Sequence, residues 1–262
     1  MQSDEEKAAP TLPHVKSAGR YLCRLTELRL PGGALSVQHH RGRLRFCREI
    51  CYNEDTDLKK RGAAAAAPME DTRMEHKRER FLDALQDCPV IAALKSDEGL
   101  EKAIASDCTT VFFLYGTILN IASHVERVKQ AGKLVFVHAD LIEGLTARDI
   151  TADFIAQNTQ ADGIISTRPN IIRRAKALGM LTIQRFFLFD SLSFDTVLRQ
   201  NSNADAVDLL PATMPRVLER LSHQIRLPII ASGLLADKQD VVAALSAGAQ
   251  AVSTTKPELW EI

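Results

Sequence analysis

The stretch LVFVHADLIEGL, residues 134–145, runs from an apolar β-strand pattern directly into the polar cluster His138-Ala139-Asp140. It places two hydrogen-bonding side chains at the carboxyl end of a strand, where α/β proteins hold their ligands. Side chains two apart share a face only while the strand persists, so an acid–base pair of His138 and Asp140 is one interpretation among several. We expect a structural role for His138. For Asp140 we expect contact with a polyol hydroxyl, with helix capping as its alternative.

Seven further apolar or β-branched segments recur around this one, roughly every 20 to 25 residues, and each except the last is followed by a stretch of helical length. Such alternation is typical of βα units and a parallel sheet. Eight strands favour a compact (β/α)8 TIM barrel over an open doubly wound sheet, and residues 92–96 lack the glycine-rich fingerprint that an open sheet would carry. The predicted strands are residues 89–94, 110–116, 133–139, 161–166, 180–184, 206–210, 227–232 and 249–254.

Glycines and N-cap residues determine the predicted limits of the helices. The helical patterns 118–131, 171–178 and 241–247 each end before a glycine that can adopt the positive φ of a helix end. Asp190 and Thr213 are predicted N-caps of the helices after strands five and six. After the last strand the sequence leaves almost no room for a helix.

Charge and cysteine usage exclude several classes of protein. The 262 residues carry no net charge, but residues 1–68 sum to +4 and the remainder to −4. A net negative charge over residues 69–262 is unusual for a protein that binds nucleic acid. Any RNA binding by this part of the chain therefore requires a local basic patch. The chain has no long apolar run, no secretory pattern at its start and no paired cysteine framework, which together predict a cytoplasmic protein.

The first 80 residues form a separate region in this interpretation. We expect residues 1–80 to be a mostly disordered N-terminal extension, or sequence upstream of a natural start near Met69 or Met74, and residues 81–262 to form the barrel. His39, His40, Cys47 and Cys51 do not have the spacing of a zinc finger, so no metal site is predicted.

The strand ends predict a ligand pocket, because in a barrel they converge on one face. The loops ASGL (231–234) and STTK (253–256) combine a glycine with small hydroxyl residues at the corner where barrels commonly bind phosphate. Arg168 and Arg185 could each contact an anion or form a structural ion pair with Asp140, Asp190 or Asp208.

Few residues at the predicted strand ends could act as a catalytic acid, base or nucleophile. No glutamate stands at a predicted strand end, and Lys95 is the nearest candidate for a Schiff-base lysine. We therefore predict no catalytic residue and no cofactor, and a role in sensing at least as much as in catalysis.

Six segments carry a resemblance to a known family over about residues 87–260. Ordered and spaced as they are, they resemble the glycerol-3-phosphate responsive antiterminator family, known as GlpP. The resemblance implies a barrel that binds glycerol 3-phosphate and prevents premature termination in the leader of a glycerol-catabolism mRNA. The segments are HADLIEGL (138–145), DGIISTRPNII (162–172), AKALGMLTIQRFFLFD (175–190), DLLPATMP (208–215), PIIASGLL (228–235) and GAQAVSTTKPELW (248–260).

Under this resemblance, the partners are glycerol 3-phosphate and the leader mRNA, with no membrane and with self-association left open. We expect the phosphate on backbone N–H groups at the strand-seven and strand-eight loops, and the glycerol end near Asp140 and Arg185. The expected ligand contacts are Asp140, Arg185, Ser232, Gly233, Leu234, Ser253, Thr254 and Thr255. The expected RNA contacts are Arg168, Arg173, Arg174 and Lys176, close in sequence to Arg185; for the three residues on the helix, a solvated surface is the alternative.

Two rival functions stay open at this point. One is a TIM-barrel enzyme acting on a small phosphorylated metabolite, such as a glycerol-phosphate transferase or an aldolase-like lyase. The other is a metabolite-binding module whose partner is a protein.

Overall fold

The computed structural model describes residues 72–200 and 203–261, and within them the strands form a closed, all-parallel barrel in the order β1 to β8. The predictions for the first 71 residues, including the zinc interpretation, lie outside this range. The strands are β1 (Val90–Leu94), β2 (Thr110–Phe113), β3 (Leu134–His138), β4 (Gly163–Ser166), β5 (Leu181–Phe187), β6 (Ala206–Leu210), β7 (Ile229–Ser232) and β8 (Ala251–Thr254).

Helices connect successive strands, as parallel pairing requires. The last strand is followed only by a short 3₁₀ helix, Pro257–Leu259, in agreement with the sequence prediction. The helices are α1 (72–87), α2 (Glu98–Ala105), α3 (Ile121–Gln130), α4 (Ile150–Asn158), α5 (Pro169–Ala177), α6 (Ser191–Gln200), α7 (Pro215–Ser222) and α8 (Lys238–Ser246).

The core has two layers because strand side chains alternate between two faces. Outward-facing residues pack against the helices, and inward-facing residues from all eight strands form a second buried cluster that fills the barrel. Phe112 and Phe136 lie in this inner cluster with their rings 5.7 Å apart in an edge-to-face arrangement. The barrel is therefore a packed core rather than a pore.

Helix α1 closes the amino-terminal end of the barrel. Its Phe81 and Leu85 are almost fully buried, and they belong to the inner cluster rather than to the outer one. The Phe81 ring lies 4.9 Å from that of Phe136. The predicted domain limit between residues 80 and 81 thus falls inside a continuous helix.

The sequence predictions for the strands are confirmed in number and order. Strand β5 runs further than predicted, to Phe187, because residues 185–187 continue the pairing with β6. Asp190 is confirmed as a cap, since its Oδ1 accepts a hydrogen bond from Ser193 N at 2.8 Å. Thr213 is wrong as a cap: α7 starts one residue later than expected, with Met214 at the N-cap and Pro215 in the first turn.

No helix among residues 72–200 and 203–261 has both the length and the apolar character needed to cross a bilayer.

Candidate ligand site at the carboxyl ends of β5 to β8

A cavity of about 230 Å³ opens at the carboxyl ends of the strands. Its polar lining comes from the loops after β7 and β8 and from Arg185 on β5, while Leu114 and Leu210 contribute apolar walls. The cavity brings together all but one of the predicted ligand residues: Arg185, Ser232, Gly233, Leu234, Ser253, Thr254 and Thr255.

The β7 loop presents unused backbone donors. Gly233 and Leu234 both have left-handed backbone conformations, with φ of 78° and 62°. The N–H groups of Gly233, Leu234 and Leu235 donate to no acceptor among the described residues. Consecutive N–H groups in such a turn form a concave nest for an anion. A non-glycine residue at positive φ costs about 1–3 kcal/mol, a strain that is typical of ligand sites.

The β8 loop adds hydroxyl groups and a positive charge. Ser253 Oγ lies 2.6 Å from Ser232 Oγ across the strand pair, and the two side chains line the floor of the cavity. Lys256 ends this loop and is positioned by a hydrogen bond from its Nζ to the Ala236 carbonyl at 2.9 Å. An anion held on the nest would therefore lie beside a cationic side chain.

Arg185 provides a second, buried cation. Its side chain is 6% exposed, and its Nε donates to Asp208 Oδ2 at 2.6 Å. The Nη1 and Nη2 groups donate to no described residue, although the side chain lines the cavity. Asp208 thus orients the guanidinium and leaves its outer edge free, which combines the structural and the ligand-binding interpretations of Arg185.

His138 is buried, feels the charge of Arg185 and is electrically neutral near pH 7. Burial, followed by the positive charge of Arg185, lowers the pKa of His138 to about 4, and Asp140 only partly opposes this shift. Its Nδ1 lies 4.0 Å from Asp140 Oδ2 and has no hydrogen-bond partner among the described residues. This geometry fits a structural histidine rather than a general base.

Asp140 has partners of its own, away from the β7–β8 cavity. Its Oδ1 accepts from Ser166 Oγ at 2.8 Å, and its Oδ2 accepts from Thr167 N at 2.7 Å and from Thr167 Oγ1 at 2.8 Å. It is not among the residues that line the cavity. The carboxylate therefore holds the loop between β4 and α5, close to the capping alternative, and its contact with a polyol stays a prediction.

Comparison with known proteins identifies the family. Residues 90–260 match the sequence model described as "Glycerol-3-phosphate responsive antiterminator", which covers well over half of the chain. The chain belongs to this family.

A curated relative matches this antiterminator-family chain over nearly its own whole length. It is 41% identical over 184 residues to "Uncharacterized protein YgcP" of Escherichia coli strain K12, covering 70% of this chain and 96% of that one.

Two solved structures are similar as well. One is the glycerol uptake operon antiterminator regulatory protein of Listeria monocytogenes, at 32% identity and a TM-score of 0.62, covering 65% of this chain and 94% of that chain. The other is an antiterminator-related protein of Thermotoga maritima, at 29% identity and a TM-score of 0.58, covering 67% of this chain and 99% of that chain. Barrel enzymes such as an N-acetylmannosamine-6-phosphate 2-epimerase of Clostridium perfringens, at 15% identity, share the fold alone.

Most of the cations predicted to contact RNA are paired with carboxylates in this antiterminator-family barrel. Arg168 Nε lies 3.7 Å from Asp140 Oδ1, and Lys176 Nζ lies 3.8 Å from Asp205 Oδ1. Arg174 forms a two-pronged hydrogen-bonded pair with Asp153, which lowers the pKa of that carboxyl group. Arg173 is exposed and has no ion-pair partner in the described part of the chain. The RNA assignment of the four remains a prediction.

Sequence reasoning missed some of the site. Asp208 was weighed only as one of three partners for an arginine, although the β5–β6 register pairs it directly with Arg185. Lys256 and the apolar wall residue Leu114 were also absent from the predicted ligand set. The signal for Asp208 was a lone carboxylate inside an otherwise apolar strand, AVDLL. Among the described residues no cluster of His, Cys, Asp or Glu has the geometry to hold a metal ion.

Proposed function

We propose that this chain is a glycerol 3-phosphate sensor that binds the leader of a glycerol-catabolism mRNA and prevents premature termination. The observation that carries the sensing step is the cavity with the Gly233–Leu235 nest on one side and the free edge of Arg185 on the other. The family description and the name of the Listeria protein support the antiterminator step.

The cavity matches the chemistry of a small phosphate ester. The dianionic phosphate would accept hydrogen bonds from the nest and from the β8 hydroxyl groups, near the Lys256 ammonium. The guanidinium of Arg185 would donate to ligand oxygens from inside the barrel, where burial strengthens each hydrogen bond. Leu114 and Leu210 would cover the carbon chain.

The enzyme alternative gains no support from this geometry. Lys95 is exposed and lines the neighbouring cleft rather than the cavity. His138 is held neutral with its Nδ1 enclosed. A regulator fits these residues better than a catalyst, because neither group is placed to exchange protons with a ligand in the cavity.

The ligand can be tested by calorimetric titration of the full chain. Glycerol 3-phosphate is expected to bind at least tenfold more tightly than glycerol or inorganic phosphate. Arg185→Lys keeps the charge opposite Asp208 but loses the planar fork, so it should weaken binding at least tenfold. Arg216→Lys, an exposed arginine on α7, is the matched control and should bind like the wild type.

Absence of selective glycerol 3-phosphate binding by the wild type would refute the sensing step. Equal affinity in wild type and Arg185→Lys would remove Arg185 from the site. The RNA step is tested separately by gel shift of the leader transcript with and without glycerol 3-phosphate; no shift under either condition would refute it.

A further inference from the structure

A second cleft, of about 390 Å³, lies between α1 and the end of α5 and differs in character from the ligand cavity. Its charged lining residues are Arg73 and Lys77 on α1 and Lys176 on α5. None of the described residues lining it is acidic. We call this cleft the α1–α5 groove; its remaining lining is Met74, Ala177, Leu178 and Gly179.

Specific contacts between α1 and the end of α5 hold the two sides of the groove in place. Lys77 Nζ donates to the Gly179 carbonyl at 2.7 Å, which ties α1 to the turn after α5. Met74 lies against Gly179, whose φ of 71° favours a residue without a side chain. The two helices are thereby held with their cationic faces toward one cleft.

The positive charge in the groove is incompletely neutralised. The pKa of Lys77 is lowered, first by burial and then by the positive charge of Arg73, with Asp162 opposing the shift. Asp162 is already engaged by Lys129 Nζ at 2.6 Å.

Asp205, a second carboxylate near the groove, also has hydrogen-bond partners. Asp205 lies 3.8 Å from Lys176, but its Oδ2 accepts hydrogen bonds from Thr182 N and Thr182 Oγ1. Among the three lining cations, Lys176 therefore has an ion pair at 3.8 Å, whereas Arg73 and Lys77 have no ion-pair partner among the described residues. Arg173, exposed one turn before Lys176, extends the same strip along α5.

We propose that the α1–α5 groove is the surface that contacts the phosphate backbone of RNA. This inference rests on the proposed antiterminator function and assigns its RNA step to the amino-terminal end of the barrel, opposite the ligand cavity. Arg73 and Lys77 lie one helical turn apart, about 6 Å along α1, and face Lys176 across the cleft. Repeated cations on two sides of an open groove fit a chain of phosphates better than a single small anion.

The assignment changes the earlier set of RNA residues. Arg168 and Arg174 lie in ion pairs outside the groove, and Arg185 is inside the barrel. Arg73 and Lys77, on the helix that the sequence analysis did not delimit, take their place. A local patch of this kind can bind RNA although the body of the chain is negative, because salt screens charges beyond about 8 to 10 Å.

The test compares two full-length triple variants with the same change in charge. One carries Arg73→Gln, Lys77→Gln and Lys176→Gln; the control carries Arg199→Gln, Arg216→Gln and Lys238→Gln, all exposed residues without ion-pair partners in the described residues. The readout is the affinity for a labelled leader transcript at several salt concentrations. The groove variant is expected to bind at least tenfold more weakly, with a salt slope smaller by about 2, and the control is expected to bind like the wild type.

Separate readouts distinguish failure of the groove from failure of the proposed function. Unchanged glycerol 3-phosphate binding and an unchanged melting temperature show that the groove variant is folded. If Lys77→Gln unfolds the chain, the double variant Arg73→Gln and Lys176→Gln replaces it. Its salt slope for RNA binding is expected to be smaller than that of the wild type by about 1. If the wild type binds the transcript and both triple variants bind equally, the groove assignment is overturned and sensing stands. Competition by polyglutamate as effective as that by RNA would overturn the choice of RNA. A wild type that binds no transcript overturns the RNA step and the groove together.

Discussion

His138 is a buried and uncharged side chain near the Arg185 guanidinium of the proposed ligand site. Its imidazole is 3% exposed, lies near the Arg185 guanidinium and is neutral at physiological pH. A neutral ring can remain beside a cation at low energetic cost, whereas an imidazolium in the same place would face both desolvation and like-charge repulsion.

This residue should make folding sensitive to mild acid. The folded-state pKa of about 4 lies below the ordinary value of 6.5, so between these two pH values the unfolded chain binds the proton more readily. Its contribution to stability is complete above pH 6.5 and is lost as the pH falls toward 4, by about 3 kcal/mol in all. Urea unfolding of His138→Asn between pH 7 and 4 should show a correspondingly shallower decline than the wild type.

The exposed His223 provides the control for this measurement. His223→Asn removes an imidazole outside the site and should keep the wild-type decline of stability between pH 7 and 4. Parallel curves for the wild type and His138→Asn would contradict the neutral, desolvated state of His138.

For Asp140 the sequence predicted an ion pair with Arg168 as one alternative, and this pair is observed, but the hydrogen bonds to Ser166 and Thr167 were not predicted. The chain turns into a 3₁₀ helix at Ala139–Leu141 directly after β3, so the alternation of strand side chains no longer determines where Asp140 points. The serine and threonine residues of the β7 and β8 loops could be placed together from sequence because they lie at the strand ends, where barrel geometry converges them.

At the scale of elements, the role of helix α1 is the part of the fold that the sequence indicates least clearly. Its apolar contribution to the barrel is concentrated at Phe81 and Leu85, one turn apart in a stretch that is otherwise charged at many positions. Two apolar residues at helical spacing indicate an amphipathic helix, but they do not indicate that the helix closes a barrel. The strands could be predicted because each is a continuous buried run between turn residues.

Truncation of Phe81 tests this closing role. Phe81→Ala should lower the free energy of unfolding by about 3–5 kcal/mol, because it removes a fully buried ring and leaves a cavity beneath the barrel core. The exposed neighbour Arg78 is the control, and Arg78→Ala should change stability by no more than about 0.5 kcal/mol. Chemical denaturation measures both; similar small effects would show that α1 does not close the barrel.

At the scale of the whole molecule, the proposed ligand and RNA sites lie at opposite ends of the same two strands. Arg185 in the carboxyl-terminal half of β5 pairs with Asp208 in the middle of β6, while Thr182 and Asp205 are hydrogen-bonded near the amino ends, beside Lys176. Binding at one end can influence the other only if the ligand has different affinities for two states of the chain.

Such coupling must be reciprocal. We expect glycerol 3-phosphate to tighten binding of the leader transcript by about 5- to 150-fold, and the transcript to tighten binding of glycerol 3-phosphate by the same factor. Calorimetric titration of glycerol 3-phosphate with and without saturating transcript measures this factor, and the groove variant should abolish it. An affinity for glycerol 3-phosphate that the transcript leaves unchanged would exclude allosteric coupling between the two ends.

The closure of the barrel by α1 also has a consequence for the order in which the chain is made. The inner cluster joins Phe81, which precedes every strand, to Ala251 on the last one. During synthesis, helix α1 therefore leaves the ribosome before any strand, and β8, which completes the barrel, leaves last. The side chains of Phe81 and Leu85 cannot be buried in the inner cluster until nearly all of the described chain has emerged. Long-range contacts of this kind form late and leave apolar surface exposed in the meantime.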